Sequence, residues 1–127
     1  MAKRFRATLL VIKDDHILLV LDKGEHNYSM PGGGFKKEDN GITLAAGIRE
    51  VYEETRLKSI FAERLYYCDF EGERANHKVC LVKVVGNVHI DRKELDGFVW
   101  WDGSSSIPVQ GHVNKILYEF KKRNPMF

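Results

Sequence analysis

Apolar positions along the chain fall into runs of two kinds. Phe5 to Ile12 and His16 to Leu21 are nearly continuous in aliphatic and β-branched residues, and the polar Lys13-Asp14-Asp15 between them predicts a hairpin with a tight turn. Neither run alternates cleanly with polar residues, so both are expected to be central strands covered on two faces, as when helices flank a sheet. Ile60 to Phe70 and Val79 to Val85 predict a second strand pair, joined through Glu71-Gly72-Glu73, and Phe98 to Trp101 a last short strand. Two stretches change period. From Ile42 to Thr55, Leu44, Ile48 and Val51 recur at three- and four-residue steps, which predicts a helix with that stripe facing a core. From Pro108 to about Arg123, Val109, Val113, Ile116, Leu117 and Phe120 predict a second amphipathic helix, with proline in its first turn. Strands, helix, strands, helix is the order of an α/β fold in which a mixed sheet lies between helices.

Composition narrows the classes. With 127 residues, 43% hydrophobic and 30% charged, the chain is expected to form one domain, 1–127, that buries its own core. A net charge of +2, with no like-charged run longer than Lys121-Lys122-Arg123, gives no strong nucleic-acid signal and no membrane-surface signal. The basic then apolar start is short, ends in charge and reads as a strand rather than a leader. Nothing approaches membrane-spanning length. Cys68 and Cys80 do not make a disulfide framework and read as structural thiols, so the expected location is cytoplasmic. No Ser/His/Asp or zinc-type Cys/His pattern is present, which disfavours covalent catalysis.

Between Met30 and Leu57 the chemistry concentrates. Glu50, Glu53 and Glu54 stand at i, i+3 and i+4, so they share one helical face, largely away from the Leu44-Ile48-Val51 stripe. Like charges at that spacing cost only about 0.2 to 0.5 kcal/mol per pair when solvated, and Arg49 relieves part of it, so the helix alone is equally well read as a solvated acidic face. The Pro31-Gly32-Gly33-Gly34 turn just upstream shifts that balance, since glycine lets backbone groups approach a ligand. Oxygen-only donors beside such a turn suit Mg2+, which is usually shared between a few carboxylates and substrate phosphates.

These residues resemble the Nudix hydrolases, whose box reads Gly, five residues, Glu, seven residues, then Arg-Glu-aliphatic-any-Glu-Glu-any-Gly-aliphatic. Arg49-Glu50-Val51-Tyr52-Glu53-Glu54 reproduces its central hexad, and Pro31-Gly32-Gly33-Gly34 its approach. The loop from Lys36 to Gly41 is about two residues longer than the box allows, which leaves Glu38 or Asp39 for its first glutamate, and Arg56 stands where the box has glycine. The resemblance implies an α/β/α sandwich and a Mg2+-dependent pyrophosphohydrolase, with Mn2+ as an alternative ion. Its substrate would be a small nucleotide, a nucleoside diphosphate linked to another moiety. It assigns metal binding to Glu50, Glu53 and Glu54 with the backbone of Gly33, and the general base to Glu53 or Glu54. Arg49 would orient Glu53. Gly32, Gly33, Gly34 and Lys36 become substrate-binding candidates, although solvated lysines in an exposed loop are the commoner reading of Lys36 and Lys37. Glu94, six residues before Trp100, resembles the family's acidic residue that would join the metal site and is equally well read as a surface charge on a loop, with Asp96 as the fallback. Tyr28, Phe35, Tyr66, Tyr67 and Phe70 are stacking candidates, although aromatics in strands are mostly core, and His77 reads as a surface residue. The alternative function is a catalytically weak Nudix-like module that binds a phosphorylated nucleotide. Oligomeric state stays open, a dimer included.

Overall fold

The computed structural model describes residues 3–125. Seven strands, β1 Phe5–Lys13, β2 His16–Asp22, β3 Gly32–Gly34, β4 Lys58–Arg64, β5 Phe70–Glu71, β6 Asn76–Val85 and β7 Leu95–Trp101, form one mixed sheet with helices α1 Thr43–Thr55 and α2 Gly111–Arg123. The strand path is β4-β6-β1-β2-β7, with β3 also on β1 and β5 also on β6. The β1–β6 pair is parallel and the others are antiparallel.

The central position expected of β1 and β2 follows from their composition. Along β1, Leu9 and Val11 join one core with Val51 of α1, while Leu10 joins the other with Val113, Ile116, Leu117 and Phe120 of α2. The helices therefore lie on opposite faces, as in an α/β/α sandwich. Each fully buried aliphatic contributes roughly 1.5 to 3 kcal/mol. Asp14 and Asp15 turn the hairpin with φ of 51° and 61°, a left-handed conformation that Asp tolerates better than most residues. Cys68 and Cys80 are buried in the two different cores and are free.

Four expectations need correction. The glycine stretch is strand β3, not a turn: β1 and β2 stay paired only next to their hairpin, at Ile12 with Ile17 and Lys13 with His16, and β3 pairs with Arg6 to Thr8 of β1. The run from Ile60 to Phe70 is not one strand. It breaks after Arg64 into a 3₁₀ turn, Tyr66–Cys68, because the Asp69 carboxylate takes both Arg64 (2.8 and 2.7 Å) and the Val79 amide (2.8 Å), which pulls the chain out of extended pairing. Pro108 lies before α2, where its carbonyl accepts the Tyr28 amide (2.8 Å). In α1 the buried face is Ala46, Gly47, Glu50, Val51, Glu54 and Thr55, while Ile48 is 42% exposed. Gly47 suits that rotation, since a Cβ there would lie 2.6 Å from Leu9 Cδ1 and the Leu9 side chain would have to shift.

Candidate active site

Because α1 presents its Gly47 side to the sheet, Glu50 and Glu54, one turn apart, are carried inward rather than into water, and are 8% and 4% exposed. They meet the backbone of β3. A Cβ on Gly33 would stand 2.6 Å from the Glu50 carboxyl carbon, so glycine there makes the space in which that carboxylate sits. The Gly32 amide points to Glu54 at 3.4 Å, a long hydrogen bond. A Cβ on Gly32 would collide with the Ala7 carbonyl across the ladder, which makes this second glycine a requirement of the pairing.

Arg49 fixes the arrangement from outside. It donates from Nε (3.0 Å) and Nη2 (2.7 Å) to the two Asp39 oxygens, from Nη1 to Glu50 (2.8 Å) and Glu53 (3.2 Å), and from Nη2 to the Gly34 carbonyl (3.1 Å). Asp39 also accepts the Lys36 amide (2.7 Å) and is 3% exposed, whereas Glu38 is exposed. Of the two candidates in the lengthened loop, Asp39 is thus the one tied to the helix. The Arg49 hydrogen bonds hold its carboxyl down at about 2, and Arg49 is raised in turn, chiefly by Asp39. Glu53 is less enclosed and meets Lys36 Nζ at 3.3 Å. Lys36 is therefore an ion-pair partner of the helix.

Beneath the carboxylates lies a set of residues that periodicity did not single out. Arg6, on the α2 side of β1, donates to Thr8 Oγ1 (2.9 Å) and to the Met30 carbonyl (2.9 Å). Burial pushes its guanidinium below the ordinary value, while Glu54, Asp22 and Glu50 pull it back up. Thr8 Oγ1 lies 2.7 Å from His77 Nδ1, and the Met30 amide donates to His112 Nε2 (3.2 Å). His77 stacks between Phe70 and His112, with ring centroids 4.9 and 4.7 Å apart. Contrary to the surface reading, His77 is 6% exposed, because β5 and α2 close over it. Burial, reinforced by Arg6, lowers His77 to about 4 and His112 to about 3, so both rings are neutral at pH 7. A cavity of about 630 Å³ opens between these rings, Arg6, Asp22 and the N-terminus of α2. One signal for this set was present: in β1 a charged residue, Arg6, shares the parity of the core residue Leu10.

Burial drives the Glu54 carboxyl up to about 8, with Arg6 opposing and Glu50 adding to the rise. Among the described residues no three acidic, histidine or cysteine side chains stand close enough to enclose an ion by themselves. Mg2+ needs less, since one or two carboxylates with waters and substrate phosphates usually suffice. The buried, oxygen-only pair Glu50 and Glu54, crowded by Asp22 and set against the Gly33 backbone, fits that donor set. Glu94 sits just before β7 with its side chain exposed, its amide on the Asp91 carbonyl (3.0 Å) and its carbonyl accepting the Lys23 amide (2.9 Å). Asp96 accepts the Gly24 amide (3.0 Å). Of the stacking candidates, Phe70 lines the cavity and Tyr28 packs on the α2 core, while Tyr66 is exposed beneath Arg64 and Tyr67 lies under Arg123.

No family model matches the chain, and no curated protein matches it in sequence. Solved structures do match in fold. A hydrolase of the NUDIX family from Clostridium perfringens superposes with a TM-score of 0.71 at 16% identity over 100% of both chains. An ADP-ribose pyrophosphatase from Streptococcus suis gives 0.72 at 15% identity, over 96% of this chain and 92% of that one. An Ap4A hydrolase from C. elegans gives 0.69 at 17% identity, over 98% and 99%. With the same layers, the same mixed sheet and a helix of clustered glutamates at its rim, the chain has the Nudix hydrolase fold.

Proposed function

We propose that the chain is a Nudix-type pyrophosphohydrolase that cleaves a phosphoanhydride bond in a nucleoside diphosphate linked to another moiety. The observation that carries this reading is the placement of Glu50 and Glu54 against the glycine backbone of β3, with Glu50 braced by Arg49. Fold neighbours that include an ADP-ribose pyrophosphatase and an Ap4A hydrolase support the reaction class. Two unpaired, buried thiols accord with a reducing, cytoplasmic compartment.

Glu50 and Glu54, joined by Glu53 when it leaves Lys36, would hold Mg2+ or Mn2+ with the Gly33 backbone. When bound, such an ion neutralises the bridging oxygens and lowers the pKa of water. Glu54 is the better placed base. Glu53 already carries two cations at contact distance, Lys36 and Arg49, whereas Glu54 accepts the long bond from Gly32 and feels the charge of Arg6. Once Glu54 has lost its own proton, which its raised value of about 8 places on the alkaline side of neutrality, water oxygen bonds to phosphorus, the water proton passes to the Glu54 carboxylate, and the bridging P–O bond breaks with its electron pair leaving on the departing phosphate. Arg49 touches four acceptors of the protein itself, so its role is to position Glu50 and Glu53.

Glu53→Gln and Glu54→Gln should each lower turnover by about a hundredfold or more with folding intact. The measurement is a substrate panel with Mg2+ and Mn2+, with phosphate and pyrophosphate resolved separately. Unchanged turnover in both variants at saturating ion would remove the catalytic assignment. The second reading, a binding module without turnover, is favoured by the absence of three convergent ligands among the described residues, and would appear in the same panel as nucleotide binding with no product.

A further inference from the structure

A separate cavity, of about 660 Å³, is lined by none of the α1 glutamates, and its size is that of a small-molecule site. Two neighbouring strands make one side of it. Phe5 of β1 shares the parity of Leu9 and Val11, and Lys78 of β6 that of Cys80 and Val82, so both belong to the face that α1 covers farther along. The ends of the lengthened 36–41 loop make the other side: Gly34 and Phe35 lead into the loop, Gly41 and Thr43 lead out of it, and all four line the space.

The lining suits a small aromatic anion. Phe5 is 56% exposed, which is unusual for a large ring at the start of a central strand, and Phe35 is half-buried. Lys78 Nζ stands 5.0 Å from the Phe5 centroid, and Arg4 is exposed with no ion-pair partner among the described residues. No acidic residue lines the groove, although Asp69 approaches Lys78 at 3.9 Å from outside it. No side-chain amide lines it either, so a base would be held by stacking and a phosphate by charge, without a reading of base edges. One wall also reaches the carboxylates. Gly34 gives its carbonyl to Arg49 (3.1 Å), Asp39 of the loop takes the same guanidinium (2.7 Å), and Arg49 in turn holds Glu50 and Glu53.

We propose that this groove is a non-catalytic site for a nucleoside monophosphate, with the base stacked on Phe5 and Phe35 and the phosphate on Arg4 and Lys78, and that its occupant ties the 36–41 loop to the sheet and so steadies Arg49. An occupant that touches both walls favours the state in which they stand together, which is how filling the groove acts on the loop. Binding here needs no turnover at the carboxylates, so it succeeds or fails independently of the hydrolase reading.

AMP is titrated calorimetrically, without divalent ions, into the wild type, Phe5→Ala, the double variant Arg4→Ala/Lys78→Ala and Glu54→Gln, with circular dichroism checking folding. Adenosine and inorganic phosphate serve as half-ligands. The wild type and Glu54→Gln are expected to bind AMP within about twofold of each other, each groove variant about tenfold more weakly, and the wild type to bind either half-ligand about tenfold more weakly than AMP. CMP and UMP should fall within about fivefold of AMP, because every base offers a ring face. Hydrogen exchange of the 36–41 amides should slow about fivefold or more when AMP saturates the wild type. No AMP binding by the wild type at about 1 mM, unchanged affinity in both groove variants, or a loss confined to Glu54→Gln would overturn the site. AMP binding with unaltered loop exchange would overturn the tie to Arg49. A 5′-phosphorylated hexa-adenylate that bound more than about tenfold tighter than AMP would make the groove part of an RNA surface and overturn the mononucleotide as its occupant.

Discussion

Arg49 makes five hydrogen bonds to four neighbours, and the fork shape of its guanidinium is what permits this. Arg49→Lys keeps the charge but loses the paired contact with Asp39, so Glu50 and Glu53 should lose their fixed positions. We expect kcat to fall about tenfold or more, with a smaller change in KM, in a protein whose near-ultraviolet spectrum matches the wild type. Wild-type kcat in that variant would show that charge alone suffices. Gly33→Ala is the complementary change, because the new methyl would fall 2.6 Å from the Glu50 carboxyl carbon. Turnover should drop about a hundredfold through displacement of one carboxylate, with far-ultraviolet dichroism unchanged; a fully active variant would mean that Glu50 moves freely. Much of this residue-level picture was legible in the chain. The Arg49-to-Glu54 hexad and the preceding glycines marked the stretch from which the candidate site is built, and the lengthened loop left Glu38 or Asp39 for the box's first glutamate, of which Asp39 is the one that Arg49 holds. The burial of Glu50 and Glu54 was not legible, because helical spacing places side chains on a face without saying that this face, with Gly47 in it, turns inward. Arg6, Thr8, His77 and His112 were missed for another reason. They come from three elements far apart in the chain, and only the β1–β6 register and the docking of α2 bring them together.

At the scale of elements, α1 ends where Arg56 takes a left-handed conformation, φ 63° and ψ 10°, with its amide on the Tyr52 carbonyl (2.8 Å) and its guanidinium 5.0 Å from the Tyr52 ring. A non-glycine residue in that conformation costs roughly 1 to 2 kcal/mol, which the cation over the ring and the helix dipole offset in part. Arg56→Gly should therefore leave activity unchanged and stability equal or higher by about 0.5 to 1 kcal/mol, read from urea midpoints. A marked loss of substrate affinity in a folded variant would instead make Arg56 a phosphate contact. The strand pattern shows where local reading ends. β1, β2, β6 and β7 announced themselves through β-branched and aromatic content. β3 is three glycines with no strand propensity, and it is extended only because β1 has an edge free there once β2 diverges.

At the scale of the whole molecule, the two neutral histidines set a pH dependence. An unfolded histidine titrates near 6.5, whereas His77 and His112 are held at about 4 and about 3, with Arg6 the cation facing both rings and Arg74 also facing His112. Between those values the unfolded chain binds protons that the native protein does not, so the two rings contribute a loss of stability as pH drops below about 6.5 that stops growing once the folded values are passed, while Glu54, held at about 8, contributes a gain as pH falls from about 8 to 4.5 and opposes it. For His77 the full effect is on the order of 3 kcal/mol. On going from pH 7 to pH 4, urea midpoints of the wild type should decline relative to those of His77→Gln, a difference in which the common Glu54 contribution cancels; parallel curves would mean that His77 does not govern acid unfolding.

The parallel pairing of β1 with β6 also has a meaning for how the protein comes into being. Thr8 and His77, which touch in the finished sheet, are 69 residues apart in the chain. On a ribosome, the first hairpin emerges early and carries the most apolar strands, yet one edge of β1 waits for β6 and both faces wait for helices. Joining such distant strands is entropically slow, and until they join, the exposed edge invites another chain to pair with it. Newly made protein should therefore be most prone to aggregation while it is still incomplete, and refolding from urea should lose yield steeply as concentration rises.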